Sequence, residues 1–308
     1  MQILPLRIGT RNSALALAQA YEVRVRLMEV HNVSSEAFKI VPIVTRGDHT
    51  SNHSLSGING KGLFTREIEK ALRQGQIDIA VHSAKDMPAI LPDNLHLSAF
   101  LKREDPRDVF ISAQGNSLYD LPDGATVGSS SIRRQAMIRK LRPNLNIAML
   151  RGNIQTRLAG LQQDNFDGIF LAFAGVKRLG LQKIVTQILD QEQFLPAPGQ
   201  GAIAVESRID DASVDAWLTS LSDRVTHYEI TCERGFMAAL DGSCRTPLGA
   251  LARVEDEKVH FSGIILTPDG TVFHEVKLHG GIHEAEEVGY EAAKKLKKDA
   301  NSVFFENW

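Results

Sequence analysis

Short apolar runs alternate with longer amphipathic stretches along the first part of the chain. The run at 6–9 is followed by a helical pattern over 14–30, and the next apolar run covers 38–44. A helical pattern over 63–74 and an apolar run at 77–81 repeat this order. Strands that alternate with helices are typical of βαβ units. The pattern therefore predicts a mixed α/β fold with mostly parallel sheets.

The same alternation resumes after Pro106. It predicts a strand at 126–127, a helix that ends at Leu141, a strand at 147–150, a helix over 154–162 and a strand at 168–172. The openings "RIGTRNS" and "TVGSSSIRR" both place glycine, hydroxyl residues and arginine between a strand and a helix. Such turn residues are common before helices, so the likeness is a modest indication of two similar lobes.

The last part of the chain has a different pattern. A helix is predicted over 223–240, and strands are predicted at 248–254, 259–266 and 271–278. The segment "TPDG" between the last two strands is a hairpin signal. A final amphipathic helix over 283–298 completes a small α+β domain.

Composition limits the class of protein. The 308 residues suggest two domains or three small ones, and 43% hydrophobic residues suffice for a substantial core. Two cysteines do not make a disulfide framework, which favours a reducing compartment. The chain begins without a signal-peptide pattern and has no run of eighteen apolar residues, so we expect a cytoplasmic protein with no membrane partner. A net charge of −2 gives no general attraction to nucleic acid.

Basic side chains recur where predicted strands end and helices begin. Parallel strands place their carboxyl ends at one edge, where helix N-termini add positive potential. This predicts a binding site for a small ligand with several carboxylates or phosphates. Any one of these arginines alone is more often a solvated charge or an ion-pair partner, so the prediction rests on their shared position. The residues are Arg11, Lys61, Lys85, Arg133, Arg134 and Arg151, with Arg157 and Arg178 as further members.

Two other features bear on chemistry. Asp86, in "HSAKDMP", is an acid among these cations, where it could stabilise a developing positive charge; the alternatives are a helix cap or an ion pair with Lys85. His49 and His53 have a possible metal spacing, but no cysteine or second acid lies nearby. We therefore expect solvated loop histidines and no metal.

The two cysteines have different surroundings. Cys232 lies within a predicted helix and is expected in the core. Cys244, in "ALDGSCRTPLGA", lies in a loop of small residues after a helix C-terminus, where the dipole does not favour a thiolate. A flexible thiol beside a carboxylate-binding site suggests an attachment point, and a cysteine nucleophile remains the alternative.

Seven motifs occur together in a fixed order. The chain resembles the porphobilinogen deaminase family from Arg7 to Gly249, and the last sixty residues add little to this resemblance. The motifs are "RIGTRNSALALAQA", "GKGLFTREIE", "AVHSAKDMP", "VGSSSIRRQA", "LRGNIQTRL", "PAPGQGAIAVE" and "LDGSCRTPLG".

The resemblance implies two α/β lobes like those of type II periplasmic binding proteins, plus a small C-terminal α+β domain that carries the cysteine. The first lobe would be discontinuous, over 1–101 and 202–222. The second lobe would cover 102–201 and the C-terminal domain 223–308.

The resemblance also implies the reaction. Four porphobilinogen molecules would be condensed head to tail with release of ammonia, and hydrolysis would free the linear tetrapyrrole hydroxymethylbilane. The cofactor would be a dipyrromethane held by a thioether to Cys244, and the enzyme is expected to be a monomer.

Residue by residue, Asp86 aligns with the catalytic carboxylate. The cofactor and substrate contacts implied are Arg11, Ser13, Lys61, Ser83, Lys85, Ser129, Ser131, Arg133, Arg134, Arg151, Arg157, Arg178 and Gln200. The chain departs from the family in having Gly57 where many members have lysine and Ser243 where glycine is common. The competing hypotheses are a two-lobed carboxylate receptor without catalysis and a cysteine-nucleophile transferase or hydrolase.

Overall fold

The computed structural model of the chain describes residues 5–45, 65–163, 166–242, 246–300 and 304–305. The strands of this part are β1 Leu6–Arg11, β2 Phe38–Ile43, β3 Ile79–Ser83, β4 Leu95–Phe100, β5 Asp108–Ser112, β6 Thr126–Gly128, β7 Asn146–Ala148, β8 Gly168–Ala172, β9 Gln187–Ile188, β10 Ile203–Arg208, β11 Leu248–Glu255, β12 Lys258–Leu266 and β13 Phe273–Gly281. Its α-helices are α1 Ala14–His31, α2 Arg66–Arg73, α3 Ile132–Leu141, α4 Ile154–Gln163, α5 Phe173–Arg178, α6 Ala212–Leu218, α7 Arg224–Ala239 and α8 Ala285–Asp299.

The chain divides into two compact units. Unit 1 comprises Met1–Glu104 and Ala202–His227, and unit 2 comprises Asp105–Gly201 and Tyr228–Trp308. The three-domain boundaries expected from the sequence stay a prediction.

Unit 1 is built on a five-stranded sheet with the order β2-β1-β3-β10-β4. Strands β1, β2 and β3 are parallel, whereas β10 runs antiparallel to both β3 and β4. The apolar side chains of Ile8, Val81 and Val205 form the buried centre of this sheet. Since β10 lies more than a hundred residues beyond β4, the sheet is completed by a segment that returns from later in the chain.

Helix α1 is capped at both ends by residues next to it in the chain. The Ser13 hydroxyl accepts a hydrogen bond from the Ala16 amide at 3.3 Å and caps the helix. The helix ends at Asn32, whose left-handed backbone (φ 50°) lets its amide donate to the Met28 carbonyl. The cap therefore places Ser13 directly beyond the end of β1.

Unit 2 contains a second five-stranded sheet and a three-stranded one. The first has the order β7-β6-β8-β5-β9, with β5 antiparallel to β8 and β9. Phe110, Phe170 and Phe194 pack in its core. The ring centroids of Phe110 and Phe170 are 5.1 Å apart, and those of Phe170 and Phe194 are 5.9 Å apart. The three-stranded sheet, β11-β12-β13, is antiparallel throughout.

Helices α7 and α8 cover the three-stranded sheet. Cys232 and Phe236 of α7 join Leu296 of α8 in one buried cluster. At Gly289 a Cβ atom would lie 2.0 Å from the Cys232 carbonyl oxygen, so only glycine allows this approach of the two helices. The predicted fold class, two α/β lobes and a small α+β part with three antiparallel strands, is confirmed.

Most predicted elements are confirmed with shifts of a few residues at their ends. The predicted strand at 77–81 is found at Ile79–Ser83, and the strand at 147–150 is shorter, Asn146–Ala148. Strands β4, β5, β9 and β10 and helices α5 and α6 were not predicted. Several of these are short, and β5 and β9 pair with strands distant in sequence, which periodicity does not reveal.

Candidate active site

Unit 1 brings four of the predicted residues to one edge of its sheet. Arg11 ends β1 and Ser13 follows it, while Ser83 ends the adjacent parallel strand β3. The chain then makes a short 3-10 turn, Ala84–Asp86. Arg11, Ser13, Ser83 and Asp86 line one open pocket. Of the basic residues expected at the strand ends, Arg11 lines this pocket together with the carboxylate of Asp86.

Asp86 is half-buried in this pocket. Its carboxylate makes no hydrogen bond or ion pair to another residue of the described part of the chain. The helix-cap and Lys85-partner alternatives are therefore not seen here. Lys85 is also half-buried and has a polar interaction of its own.

Sequence reasoning missed Gln19 in the same pocket. Its side chain is 3% exposed and makes hydrogen bonds of 2.9 and 3.1 Å with the Ser83 hydroxyl. Gln19 lies on the buried face of α1, which is otherwise formed by Ala16, Ala20, Val23 and Leu27. An amide within an apolar helical stripe is a signal that could have drawn attention to it, because buried amides need partners.

Unit 2 contains a second polar cluster at the start of α3. Ser131 accepts from the Arg134 amide at 3.4 Å and caps the helix, and Ser129 is buried just before it. Arg133 and Arg134 are only 5% and 4% exposed, so they are not solvated surface charges. Both are ion-pair partners of Asp108, a fully buried residue that sequence reasoning did not single out.

The contacts of these arginines are specific. Arg134 donates from Nε and Nη2 to Asp108 Oδ1 at 3.0 and 2.7 Å, and from Nη1 to the Phe170 carbonyl at 2.9 Å. Arg133 lies 2.7 Å from Asp108 Oδ2 and donates to the Leu195 carbonyl at 2.7 Å. Gln200 is buried and donates to Asp108 at 3.1 Å.

This cluster carries a net positive charge. Two guanidinium groups share one carboxylate, which leaves one positive charge among Arg133, Arg134 and Asp108. Burial lowers the pKa of Arg133, while the Asp108 charge opposes this change. Arg133 Nε is buried and has no hydrogen-bond partner within the described residues. The cluster is therefore suited to an anion.

The other predicted residues of unit 2 differ in their contacts. Arg178 donates to the Gly201 carbonyl at 3.1 Å, beside Gln200. Arg157 donates to the Gly152 carbonyl at 2.9 Å, and Arg151 is half-buried in the preceding loop. Lys61, Cys244, His49, His53, Gly57 and Ser243 lie outside the described residues.

In the described ranges, no three His, Cys, Asp or Glu side chains are grouped so that they could hold a metal ion. The helices of those ranges are all too short or too polar to cross a membrane.

Comparisons with known proteins identify the family. The family described as "Porphobilinogen deaminase, dipyromethane cofactor binding domain" matches residues 6–216, and "Porphobilinogen deaminase, C-terminal domain" matches residues 227–298. The porphobilinogen deaminase of Nitrobacter winogradskyi is 52% identical over 298 residues, which cover 97% of this chain and 94% of that protein. These matches define a two-part enzyme with a cofactor-binding region and a C-terminal domain. The chain belongs to the porphobilinogen deaminase family.

The solved structures that match part of the chain are distant from it in sequence. The VFT2 domain of Bordetella pertussis BvgS has 14% identity and a TM-score of 0.44, over 70% of this chain and 86% of that one. A TRAP periplasmic solute-binding protein from Desulfovibrio salexigens has 12% identity and a TM-score of 0.42, over 71% and 72%.

In each unit taken by itself, the residues present fit groups of a dipyrromethane, whose side chains are carboxylates and whose rings carry N–H groups. Guanidinium, hydroxyl and amide groups can donate hydrogen bonds to the carboxylates, and the buried N–H at Arg133 Nε has no acceptor among the described residues. The Asp86 carboxylate suits the ring N–H groups.

Proposed function

We propose that Asp86 is the catalytic carboxylate and that Cys244 carries the primer of the family's reaction. As a family member, the chain is a transferase that condenses four porphobilinogen molecules head to tail on a dipyrromethane cofactor, with release of ammonia, to give hydroxymethylbilane. The observation that carries the proposal is the Asp86 carboxylate in a pocket with Arg11, Ser13 and Ser83.

Asp86 has the charge and the position that the reaction needs. Loss of ammonia from porphobilinogen leaves positive charge on its pyrrole ring, and a carboxylate within hydrogen-bond reach of the ring N–H stabilises that charge. The pocket is only partly open to water, which strengthens such an interaction relative to bulk solvent. Arg11, Ser13 and Ser83 supply donors for the acetate and propionate groups in the same pocket.

The arginine cluster of unit 2 supports binding of further carboxylates. Ser129, Ser131 and Gln200 lie next to Arg133 and Arg134 at the start of α3, where helix amides add positive potential. Asp108 fixes the direction of both guanidinium groups, so little side-chain entropy is lost when an anion binds. Five further basic residues are proposed as additional contacts of the cofactor and substrate carboxylates: Arg151, Arg157, Arg178, Lys61 and Lys85.

Cys244 is the better of the two thiols for covalent attachment. Cys232 is fully buried, and burial raises the pKa of its thiol far above the usual range. Cys244 follows α7 in a segment rich in small residues. When bound, the primer supplies the nucleophilic pyrrole carbon to which the first substrate unit is joined, and a thioether anchor resists the hydrolysis that frees the product.

We further propose that the enzyme acts in the cytoplasm as a monomer, without a nucleic-acid partner. The attachment thiol has to be reduced when the primer is added, which favours a reducing compartment. The nearly balanced charge of −2 supports the absence of a nucleic-acid partner.

Turnover of porphobilinogen by Asp86→Asn tests the proposal. Asparagine keeps the size of the side chain and removes the charge, so we expect a loss of about 10²–10³-fold in kcat with the fold retained. Asp93→Asn, the same change at an exposed position of the same unit, is the matched control and is expected to react like the wild type. Normal turnover by Asp86→Asn would remove Asp86 from its proposed role.

A further inference from the structure

Three buried ionisable side chains lie beside the pocket that contains Asp86. His82 Nε2 lies 3.1 Å from Glu206 Oε2, and the two side chains are 3% and 0% exposed. Glu69 of α2 is 6% exposed and interacts electrostatically with both. The role of Asp86 does not require any of these three residues.

The sheet register explains how His82 and Glu206 meet. Strands β3 and β10 are antiparallel, with His82 opposite Ala204 and Glu206 opposite Ala80. Residues two positions apart on a strand share a face, so Glu206 is the diagonal neighbour of His82. The pair is therefore fixed by two rigid strands, and His82 lines the same pocket as Asp86, Arg11 and Ser83.

The Glu206 carboxylate sets the orientation of the imidazole. A carboxylate at Nε2 favours the tautomer in which Nε2 carries the hydrogen and donates it. In that tautomer Nδ1 is the hydrogen-bond acceptor of the ring. A base oriented by a carboxylate is the arrangement that general acid–base catalysis uses.

Two buried carboxylate oxygens around the pair have incomplete hydrogen bonding. Glu69 Oε1 and Glu206 Oε1 are buried and have no hydrogen-bond partner among the described residues. Burial raises the pKa of the Glu69 carboxyl above its ordinary value, and the charge of Glu206 raises it further. A proton on Glu69 would supply one of the missing donors.

The charged groups around His82 come from several elements. Glu206 faces it from β10 and Glu69 from α2, where Arg73 also acts on Glu69. Arg11 of β1 and Asp86 after β3 line the same pocket.

The reaction needs a base that takes up a ring proton. Each condensation joins a ring C–H carbon to the CH₂ of porphobilinogen and breaks the bond from that CH₂ to nitrogen. The ring loses one proton and the amino group leaves as ammonia, so the sum is C–H plus H₂N–CH₂ giving C–CH₂ plus NH₃, without oxidation or reduction. This proton has to be taken up by a base within reach of the reacting ring.

We propose that His82 is a further catalytic residue, which takes up the ring proton at Nδ1, and that Glu206 is its positioning residue. This inference rests on the proposed function. The proton passes from His82 to the departing ammonia or to solvent, so the imidazole returns to its starting state after each addition.

The test compares wild type, His82→Gln and His96→Gln with porphobilinogen carrying hydrogen or deuterium at the ring carbon. His96→Gln is the matched control, because His96 is on β4 and bonds to Asp215 and Ser207 instead. We expect His82→Gln to keep its primer mass, to lose about 10²-fold in kcat at nearly unchanged KM, and to show a larger isotope effect than wild type. A merely structural role would not change the isotope effect.

Each outcome decides the inference. A folded, primer-loaded His82→Gln with the wild-type isotope effect would overturn it while leaving the proposed function intact. A wild type that does not turn over porphobilinogen would overturn both. If His82→Gln does not fold, Glu206→Gln serves instead and should change the rate and the isotope effect in the same direction.

A spectrum of the unloaded chain gives a readout that does not depend on activity. In Cys244→Ser, the imidazole ¹⁵N signals of the neutral His82 ring should show its hydrogen on Nε2, and Glu206→Gln should alter them. Hydrogen on Nδ1 of the neutral ring would contradict the assignment of His82 as the base.

Discussion

The guanidinium of Arg134 is held against the carboxylate of Asp108 by two hydrogen bonds, of 2.7 and 3.0 Å to the same oxygen. Both side chains are almost completely buried, and Arg133 shares the second carboxylate oxygen. One carboxylate therefore organises two arginines at the start of α3. This relationship makes Asp108 as important for the arginine cluster as the arginines themselves.

Replacement of Asp108 should affect stability and primer loading together. Asp108→Asn leaves two buried guanidinium groups without a counter-charge, and loss of one partner of a buried ion pair costs about 3–5 kcal/mol of unfolding free energy. Chemical denaturation measures this loss, and intact mass measures the fraction of chains that carry a primer. Asp105→Asn, which removes a more exposed partner of Arg107, should cost much less and leave loading unchanged. Equal effects of the two substitutions would contradict a special role for Asp108.

Replacement of Arg134 should affect loading more than folding. In Arg134→Leu the remaining Arg133–Asp108 pair is neutral, so no buried charge is left without a partner. The cluster then lacks its excess positive charge, and we expect a low primer occupancy by intact mass with only a moderate fall in the thermal midpoint. Arg139→Leu, on the same helix with its guanidinium on the Pro268 carbonyl, should load normally. Full occupancy and normal activity of Arg134→Leu would limit Arg134 to a structural role.

The stability contributed by Asp211 should depend on pH. Asp211 caps α6 through the Val214 amide and pairs with Arg208. Burial alone would raise the pKa of Asp211, but hydrogen bonds from Arg208, Ser213 and Val214 outweigh it and lower the pKa. A lowered pKa in the folded state means that the ionised carboxylate stabilises the fold above the pKa of free aspartate, about 3.9, and that this contribution is lost as pH falls through the folded pKa.

Asp211→Ala tests this pH dependence. At neutral pH we expect a loss of about 1 kcal/mol in unfolding free energy, from urea denaturation, and a smaller difference from wild type in acid. Asp210→Ala, at the exposed neighbouring position, should show little change at either pH. A difference for Asp211→Ala that stays constant or grows on acidification would contradict the assignment.

The local parts of the site could be predicted from the sequence. Nearby residues determine three of these parts, and each lies at or close to the position that the pattern predicted. They are Ser13 with the helix that follows β1, the strand before Asp86, and the SSSIRR segment at the start of α3. Capping and strand periodicity act over a few residues, so a single sequence is enough to find them.

The long-range parts could not be predicted in this way. Asp108 lies 26 residues before Arg134, on a strand whose antiparallel pairing places it beneath α3. Glu206 lies 124 residues after His82 and reaches it only because β10 enters the sheet of unit 1. Residue types and spacing carry no information on such pairings; the resemblance to a family supplied the return of the chain, but not these contacts.

The intact mass of the purified chain tests the central claim most directly. We expect the wild type to be heavier than its sequence by one dipyrromethane, formed from two porphobilinogens with loss of their ammonia, and brief exposure to substrate should add species one pyrrole unit apart. Cys244→Ser should lack the added mass and the activity, whereas Cys232→Ser should keep both. A wild-type mass equal to that of the bare sequence, and unchanged by porphobilinogen, would contradict the account.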